Sequence, residues 1–507
     1  MLLALACGIA TVFSFAPFFL AWLPVATLGV LFALWHDATP SRAFRTGLAF
    51  GIGLFGAGTS WLYIALHTFG EMPAPLAAFG VALFCVWLSM FPAVAGVLAT
   101  RWTTRGSISR LLACAASWPL LEWARSFPIA DFPWLSIGYA ALPPSGATAL
   151  AGFAPIGGVW LASLAFTILA AFVAAIAHFL PAARVRTITV CAALAVAEIA
   201  AGAALARIAW TEPVAAPITV SLVQGNVSQD LKFEPAMRDQ TFRMYVDLAR
   251  ASRGRVIVLP ESALPAFADE VPPSVLRELL GIARARDGVL LTGLFTVDRP
   301  DADHPRLRYY NSVVSLGTAE PQVYRKRHLV PFGESIPLEP IVGWFIRDVL
   351  SIPLANQTAG DSEQVAFAVA EQSIAVDICY EDVFGSDIRV QARHATLLVN
   401  VTNDAWYGRS LAAEQHNQIA AMRALETGRP LLRATNTGIT SAIAPDGHVV
   451  ARLPWFEQGI LDVTVEGRRG TTPYVTWGDA VAIVSAAALL VAAALGGYLR
   501  RAQTRAR

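Results

Sequence analysis

The chain contains long runs without charged side chains on both sides of a block of ordinary globular composition. The first apolar region extends from Met1 to about Trp210, and the second from about Gly478 to Leu499. The chain is 55% apolar and 15% charged, whereas an ordinary soluble domain has about 25% charged residues. A net charge of +1 argues against a nucleic-acid-binding surface. The pattern therefore predicts a membrane protein with a globular domain inserted between its membrane segments.

Eight segments are candidate transmembrane helices, because the hydrocarbon core of a bilayer requires about 20 apolar residues per helix. Pro17 makes the end of the first segment uncertain, and a cleaved signal peptide is the alternative interpretation of it. No basic residue precedes that segment, which favours an intact helix. The candidates lie near 2–15, 19–36, 44–65, 74–100, 108–125, 155–180, 187–209 and 478–499.

Arginine is concentrated in alternate loops between these segments, and short loops rich in Arg or Lys face the cytoplasm. With eight helices, this distribution places both termini in the cytoplasm and exports the globular block. Arginine occurs near 37–45, 101–110 and 181–187 and in the C-terminal tail, whereas the loops near 16–18 and 66–73 contain neither Arg nor Lys.

The inserted block alternates β-rich runs with helical stretches, which predicts an α/β layered sandwich. Near-continuous Val, Ile and Leu indicates strands that are buried on both faces. The predicted domains are 1–210, 217–468 and a C-terminal helix over 478–499. Strands are predicted over 218–226, 255–262, 288–295, 309–316, 373–381, 395–404 and 430–438, and helices over 235–252, 271–288 and 412–430.

Cys379 is the only cysteine of the inserted block, so it has no disulfide partner there. An unpaired thiol in an exported domain is a candidate reactive group, although position alone favours a buried core cysteine. The other cysteines fall in predicted membrane segments, where we expect them to act as small apolar fillers: Cys7, Cys85, Cys114 and Cys191.

Three chemically complementary side chains follow predicted strands: Glu261, Lys326 and Cys379. A thiolate is a nucleophile, a carboxylate can accept its proton, and a cation can lower the thiol pKa or stabilise an oxyanion. Together these groups indicate acyl-transfer chemistry. Glu and Lys near strand ends are also common as solvated surface charges, so spacing alone leaves both interpretations open.

The motifs around these residues resemble those of the carbon–nitrogen hydrolase, or nitrilase, superfamily. They are "LPES" (259–262), "YRKRHLVPFGE" (324–334) and "DICYED" (377–382). The resemblance implies a Glu–Lys–Cys triad on an αββα sandwich. Further similar motifs are "NVTNDAWYG" (400–408) and "RALETGRPLLRATNTG" (423–438).

Nearly the whole chain resembles the apolipoprotein N-acyltransferases, the integral-membrane family of that superfamily. The membrane half contributes "WLYIALHTFG" (61–70) and "DFPWLSIGYA" (131–140). The start of the inserted block contributes "SLVQGNVSQDLKF" (221–233). The resemblance implies an α-helical membrane domain of eight helices and a nitrilase-like periplasmic domain in the bacterial inner membrane.

The resemblance also implies a role for individual residues. Glu261 matches the general base, Lys326 the triad lysine and Cys379 the nucleophile. Glu334 matches a second acid that supports the site. Two adjacent positions that the family also requires are matched by Tyr380 and Glu381.

One position departs from the family pattern. The family usually has Trp where this chain has Phe233, which keeps an aromatic face but lacks the indole N–H donor. If that N–H is needed, activity or substrate preference changes; if the ring only packs, little changes.

The reaction implied by the resemblance has two half-reactions. Cys379 takes an acyl chain from the sn-1 position of a phospholipid, with phosphatidylethanolamine as the expected donor, and forms a thioester. The α-amine of a diacylglyceryl-modified N-terminal cysteine of an apolipoprotein then accepts the chain as an amide. We expect neither a metal nor an organic cofactor.

Two other functions are compatible with parts of the sequence. A membrane-bound amidase would use the same triad with water as acceptor, but a soluble amide needs no platform of eight helices. A transporter with a binding domain would be expected to show internal repeats and midplane polar groups, but the sequence shows no repeat and its predicted spans carry very few ionisable residues. The apolar stretch 341–354 is either a lipid-facing arm or a helix packed on the domain, and Glu122 is either buried and functional or in contact with headgroups. In predicted exported loops, His67 and Trp134 either shape the lipid entrance or anchor helix ends.

Overall fold

The computed structural model describes residues 1–144, 146–181, 184–232, 234–300, 307–331, 333–335 and 356–505. The chain forms two compact units, each of which is described separately. One unit comprises Met1–Tyr63, Pro75–Trp210 and Thr472–Arg507, and the other comprises Ile64–Ala74 and Thr211–Thr471.

The first unit is helical, and each of the eight predicted membrane segments contains a helix. Four segments are long and apolar enough to cross a bilayer: Ala74–Arg101, Ala149–Phe179, Val185–Leu205 and Ala480–Leu499. A bent pair, Pro40–Gly58 with Leu62–Phe69, is a fifth candidate among the described residues. The α-helices are Leu2–Thr11, Leu23–His36, Pro40–Gly58, Ala74–Arg101, Ile108–Ala124, Ala154–Phe179, Val185–Leu205, Pro473–Trp477 and Ala480–Arg505.

Glycine allows the helices of this unit to approach at the level of their backbones. A Cβ atom on Gly8 would lie 2.0 Å from the Phe50 carbonyl oxygen, and one on Gly53 would lie 2.3 Å from the Leu5 carbonyl oxygen. Helices Leu2–Thr11 and Pro40–Gly58 therefore meet through small residues on both sides. Such contacts are the usual basis of helix packing in membranes, where apolar side chains gain nothing by leaving lipid.

The second unit contains two six-stranded sheets, ordered β13-β2-β3-β4-β5-β6 and β12-β11-β10-β9-β8-β7. A small third sheet pairs β1 (Thr211–Pro213) with β14 (Arg468–Gly470). The first large sheet comprises β2 Ile218–Gln224, β3 Val256–Val258, β4 Val289–Asp298, β5 Arg308–Leu316, β6 Val323–Arg325 and β13 Gly459–Val465. The second comprises β7 Phe367–Val369, β8 Gln372–Ile378, β9 Leu397–Thr402, β10 Leu431–Thr435, β11 Ser441–Ile443 and β12 Val449–Arg452.

Each large sheet has three parallel strands at its centre, flanked by antiparallel strands. The parallel neighbours are β2, β3 and β4 in one sheet and β8, β9 and β10 in the other. The carboxyl ends of β2 and β10 meet, because Asn226 N donates to the Asn436 carbonyl oxygen at 2.8 Å. The carboxyl ends of both sheets therefore lie on the same side of the unit.

Helices cover the outer faces of the sheets and complete the predicted αββα layers. Pro235–Ala251 and Pro273–Arg284 contribute Phe242, Tyr245 and Leu279 to a buried cluster with Ile257 and Leu290. Gly385–Ala392 and Leu411–Thr427 pack on the second sheet. The long uncharged strands of the sequence are thus explained by burial on both faces.

All seven predicted strands and all three predicted helices of this unit are present. The strands that the sequence did not indicate are short or lie at sheet edges, such as β6, β7 and β11, each of three residues. Runs of three residues carry too little periodicity to be recognised.

The contact between β4 and the turn after β3 gives a testable prediction. A Cβ atom on Gly293 would lie 2.4 Å from Ser262 N and 2.8 Å from Glu261 Cα, so Gly293→Ala must displace this turn. We expect overpacking to cost about 1–3 kcal/mol of stability, measured as a lower melting temperature.

Gly281→Ala is the matched control, because nothing lies within 4 Å of its added Cβ in the helix Pro273–Arg284. Replacing a helical glycine by alanine should stabilise by about 0.5–1 kcal/mol. A melting temperature of Gly293→Ala equal to or above that of Gly281→Ala would contradict the described packing.

Candidate active site

The three candidate residues lie in turns at the carboxyl ends of strands. Glu261 is three residues beyond β3, Lys326 directly follows β6 and Cys379 directly follows β8. Lys326 Nζ lies 3.6 Å from Glu261 Oε1, and both side chains are buried. The Cys379 thiol interacts electrostatically with both of them. The sandwich therefore brings together three residues that are far apart in the sequence.

Glu334 completes a charged group around Lys326. Lys326 Nζ donates to Glu334 Oε1 at 2.8 Å, and Val330 N donates to Glu334 Oε2 at 2.9 Å. Asn311 Nδ2 donates to Glu261 Oε1 at 2.7 Å and is 3.5 Å from Glu334 Oε1. Burial lowers the pKa of Lys326, but Glu334 and Glu261 outweigh burial and raise it above its ordinary value. Lys326 is therefore a permanent cation held between two carboxylates.

Cys379 has an unusual backbone conformation and a buried thiol. Its φ of +56° lies in the left-handed region, which few non-glycine residues adopt and which is common at functional sites. Asn400 Nδ2 donates to its carbonyl oxygen at 3.1 Å. Burial and then Glu261 raise the pKa of the thiol, whereas Lys326 acts to lower it.

The expectation that a neighbouring cation lowers the thiol pKa is thus met only in part, because burial dominates. The resting thiol is protonated and requires a base before it can act as a nucleophile. Glu261 has the strongest charge interaction with the thiol and is the candidate base.

Glu381 links the turn of Cys379 to the turn of Lys326. Its Oε2 accepts from Ile378 N at 2.7 Å and from the Tyr324 hydroxyl at 2.9 Å. Its Oε1 accepts from Arg327 N at 2.7 Å and from His328 N at 3.0 Å. One buried carboxylate therefore fixes the distance between the two turns.

Tyr380 lies beside this link and forms an aromatic cluster. Its ring centroid is 5.3 Å from that of Phe384 and 6.2 Å from that of His328. His328 in turn stacks on Phe384 at 3.6 Å. The ring of Tyr380 thus packs against the same two turns that Glu381 joins.

A second buried charge cluster lies behind Cys379 and was missed from the sequence. His416 Nε2 is 2.8 Å from Asp382 Oδ1, and His416 Nδ1 is 2.9 Å from Asp404 Oδ1. Arg433 donates to Asp382 Oδ2 at 2.8 Å and to Asp404 Oδ2 at 3.3 Å. Arg433 stands inside the apolar strand β10, and a charge in such a strand was the available signal.

Lys232 was also missed. It ends the short helix Gln229–Lys232, is buried, and donates from Nζ to the Glu261 carbonyl oxygen at 3.0 Å. Burial lowers the pKa of Lys232 to about 8, against the opposing effects of Glu261 and Cys379. The amino-acid composition could have pointed to Lys232, because Lys232 and Lys326 are the only two lysines of the chain.

The remaining candidates have varied positions. Phe233 and the segment 341–354 lie outside the described residues. Glu122 is buried and accepts from Trp118 Nε1 and Ile137 N, both at 2.9 Å. Trp134 is buried against Trp61 and Phe132. Glu122 lies in the helix Ile108–Ala124, as predicted, and Trp134 lies in a turn beyond that helix, where its side chain is buried rather than exposed.

The segment Ile64–Ala74 belongs to the second unit although it precedes most of the first. His67 is exposed, and its Nδ1 lies 2.8 Å from the Met72 carbonyl oxygen. The Phe69 ring lies 6.0 Å from that of Trp406, in the turn Asp404–Tyr407 after β9. Over the described ranges, no group of three or more His, Cys, Asp or Glu side chains is placed to hold a metal ion.

Two family models match the chain. Residues 219–474 match the carbon–nitrogen hydrolase model, and residues 7–176 match the model of the apolipoprotein N-acyltransferase N-terminal domain. The two matches follow each other without overlap, in the order that the resemblance implies.

Several curated relatives match over almost their full length. The apolipoprotein N-acyltransferase of Nitrosomonas europaea is 43% identical over 506 residues, which cover 99% of each chain. That of Methylococcus capsulatus is 42% identical and covers 95% of this chain and 93% of the relative. That of Chromobacterium violaceum is 38% identical, and the match covers 99% of this chain and 95% of the relative.

Two solved structures match about half of the chain each. A variant of the Nesterenkonia amidase from the nitrilase superfamily is 17% identical with a TM-score of 0.37, covering 52% of this chain and 95% of that one. A carbon–nitrogen hydrolase from Helicobacter pylori is 15% identical with a TM-score of 0.35. The match covers 49% of this chain and 88% of the hydrolase.

The buried histidine predicts a specific dependence of stability on pH. Burial and Arg433 lower the pKa of His416, but Asp382 and Asp404 outweigh them and raise it to about 9. Because the pKa is raised on folding, the stabilisation is complete below about pH 6.5 and is lost as pH rises through about 9. Arg433 Nη2 lies 2.6 Å from His416 Nδ1 and opposes this charge, and we expect stability to decrease across the window.

The measurement is the melting temperature of the intact protein and of His416→Gln between pH 6 and pH 9.5. The difference between the two proteins should shrink as pH rises. Comparing differences removes the contribution of other groups that titrate in this range, such as Lys232. A difference that stays constant with pH would contradict a charged His416.

Proposed function

The chain belongs to the apolipoprotein N-acyltransferases and is an acyltransferase of that family, and from this premise we propose its donor, its acceptor and its mechanism. Cys379 receives the sn-1 acyl chain of a phospholipid, with phosphatidylethanolamine as donor. The chain then passes to the α-amine of the S-diacylglyceryl-cysteine that begins an apolipoprotein. The observation that carries this proposal is the buried, unpaired thiol beside Glu261 and the Lys326–Glu334 ion pair.

In the first half-reaction, Glu261 accepts the thiol proton and the sulfur attacks the ester carbonyl carbon. The charge that develops on the carbonyl oxygen is stabilised by nearby cationic and N–H donors. Collapse of the intermediate breaks the ester C–O bond, and the departing lysophospholipid oxygen takes the proton from Glu261. A thioester on Cys379 remains. The protonated resting thiol explains why a base close to the sulfur is required.

In the second half-reaction, the amine nitrogen attacks the thioester carbonyl carbon. Glu261 accepts a proton from that nitrogen, the C–S bond breaks, and the sulfur leaves as a thiolate that regains its proton. The product is an amide, and the site returns to its starting state. Because water would compete with the amine, exclusion of water from the thioester is essential.

The supporting residues act through position. Glu334 holds Lys326 at 2.8 Å and keeps it charged. Glu381 joins the turns of Cys379 and Lys326 through Arg327 N and Ile378 N, and Tyr380 packs beside that link.

The proposed arrangement in the membrane follows from where the substrates are held. Both substrates keep their acyl chains in the bilayer, so the reacting bonds lie at its surface. Eight helices, within 1–210 and 478–499, would anchor the catalytic domain, 217–468, on the periplasmic side of the inner membrane with both termini in the cytoplasm. Anchoring at both ends positions the thiol near its donor, and such positioning can contribute several kcal/mol to catalysis.

An amidase that passes the acyl group to water is the competing function, because it would use the same triad. Its products would be a free acid and ammonia from an amide, or free fatty acid from a lipid. The apolar helices favour the acyltransferase, since a soluble amide requires no membrane anchor.

The proposal predicts a covalent intermediate on one residue. Incubation of the purified protein with phosphatidylethanolamine should add the mass of one acyl chain to Cys379, as measured by intact-protein and peptide mass spectrometry. Addition of a diacylglyceryl-cysteinyl peptide should remove that mass and yield an N-acylated peptide. Cys379→Ser should abolish both steps, because an unactivated hydroxyl is a far weaker nucleophile than a thiolate.

Cys191→Ser is the matched control, because Cys191 is a buried cysteine in the helix Val185–Leu205 and should not affect either step. Acylation that persists in Cys379→Ser would disprove the nucleophile. Release of free fatty acid without any peptide product would support the amidase.

The proposed orientation predicts which parts of the chain are accessible. In spheroplasts, an externally added protease should cleave within 217–468, whereas an epitope tag at either terminus should be protected until the membrane is permeabilised. The alternation of Arg-rich loops is the physical reason. Cleavage of a terminal tag in intact spheroplasts would contradict eight crossings.

A further inference from the structure

Lysine is almost absent from this chain, and both lysines lie at the candidate site. The chain has 38 Lys and Arg residues together, and only Lys232 and Lys326 are lysines, so 36 are arginines. The two lysine side chains are buried, with exposed fractions of 3% and 1%. An ammonium is a compact cation with three donors, whereas a guanidinium is planar and wide. Lysine is thus used only where a small cation stands beside Glu261.

The two ammonium groups have different partners. Lys326 Nζ lies 2.8 Å from Glu334 and 3.6 Å from Glu261, so two carboxylates compensate its charge. Within the described part of the chain, Lys232 Nζ has one hydrogen-bond acceptor, the neutral carbonyl oxygen of Glu261 at 3.0 Å. Lys232 therefore keeps two N–H donors that a ligand oxygen can use, and the strongest charge acting on it is that of Glu261.

The position of Lys232 is fixed from three strands. Gln229, in the same short helix, accepts at 2.7 Å from Asn403 Nδ2, which follows β9. Asn403 Oδ1 accepts from Asn436 Nδ2 at 3.0 Å, and Asn436 follows β10. The helix itself follows β2. A donor held in this way needs little reorganisation when charge develops next to it.

We propose that Lys232 is a second catalytic ammonium, which donates hydrogen bonds to the acyl carbonyl oxygen while that oxygen carries negative charge. This inference rests on the proposed acyl transfer. When the Cys379 sulfur bonds to the carbonyl carbon, the π electron pair moves to the oxygen, and Lys232 stabilises the oxyanion without giving up its proton. When the electron pair returns, the ester C–O bond breaks in the first half-reaction and the C–S bond breaks in the second.

Lys326 is less suited to this task because its charge is already shared by two acids. In a buried site, a cation that is hydrogen-bonded to a neutral carbonyl oxygen attracts a developing oxyanion more strongly than a cation hydrogen-bonded to a carboxylate does. Lys326 orders the two carboxylates, and Lys232 adds its own N–H donors to the stabilisation of the substrate oxygen. The lowered pKa of Lys232, about 8, still leaves the ammonium form dominant at neutral pH.

The test separates an effect on the oxyanion from an effect on the thiol. Two rates are measured on the full-length protein in detergent: acylation of Cys379 by phosphatidylethanolamine and alkylation of Cys379 by iodoacetamide, both by mass spectrometry. Alkylation requires the thiolate but forms no oxyanion. The ratio of the two rates therefore reports stabilisation of the oxyanion alone.

We expect Lys232→Met to lower this ratio by about 10²–10³, the usual effect of losing one oxyanion donor. The ratio for Lys232→Arg should be at least tenfold higher than the ratio for Lys232→Met, because arginine restores a cationic donor. Arg429→Met is the matched control: it removes a buried cation bound to the Ala395 and Gly470 carbonyl oxygens, at the amino end of β10, and should leave the ratio unchanged.

A second measurement needs no variant. In the unsubstituted protein, the ratio should fall as pH rises through about 8, because Lys232 loses its proton there. An unchanged ratio in Lys232→Met, or a ratio independent of pH between 6.5 and 9.5, would overturn the inference while leaving the proposed function intact. Failure of the unsubstituted protein to acylate at all would overturn both.

Discussion

Charged side chains that are buried at the carboxyl edge of the two sheets must find partners inside the protein, and this requirement fixes the turns of the candidate site. An isolated buried charge is far too costly to retain. Lys326 is therefore held by Glu334 and Glu261, and His416 lies between Asp382 and Asp404. Each pair joins segments from different strands, so the pairing of charges and the closure of the sandwich depend on each other.

The Lys326 cluster and the His416 cluster both hold the turn Cys379–Val383 in place, from different sides. The turn that begins at Cys379 is held on one side by Glu381, whose carboxylate binds Arg327 N and His328 N. On the other side it is held by Asp382, which binds His416 and Arg433. The left-handed backbone of Cys379 lies between these attachments. A residue in a strained conformation persists only when its surroundings determine it in this way.

The sequence allowed the central strands and the candidate triad to be predicted, for identifiable physical reasons. Strands such as β8 and β9 are parallel and buried on both faces, so their apolar runs are continuous and end at polar turns. Glu261 and Cys379 stand at such ends, whereas Lys326 follows the short antiparallel edge strand β6, which the sequence did not indicate. His416 and Lys232 were missed because their environment is created by tertiary structure: each occurs in an amphipathic or polar stretch and is buried only when the sheets meet. The number of membrane crossings stays a prediction, because the helix Ile108–Ala124 has 17 residues and holds the polar Glu122 in its interior.

The segment Ile64–Ala74 has a consequence for any attempt to isolate the catalytic unit. Although it is flanked by helices of the other unit, it packs with residues 211–471, where Phe69 meets the ring of Trp406 and Ile64 lies beside Gly408. A protein cut at Thr211 and Thr471 would therefore lack eleven residues that pack on its surface, including the ring that contacts Trp406. A soluble excised version would have to carry those residues as a grafted loop, which means that the fold is discontinuous in the gene but continuous in space.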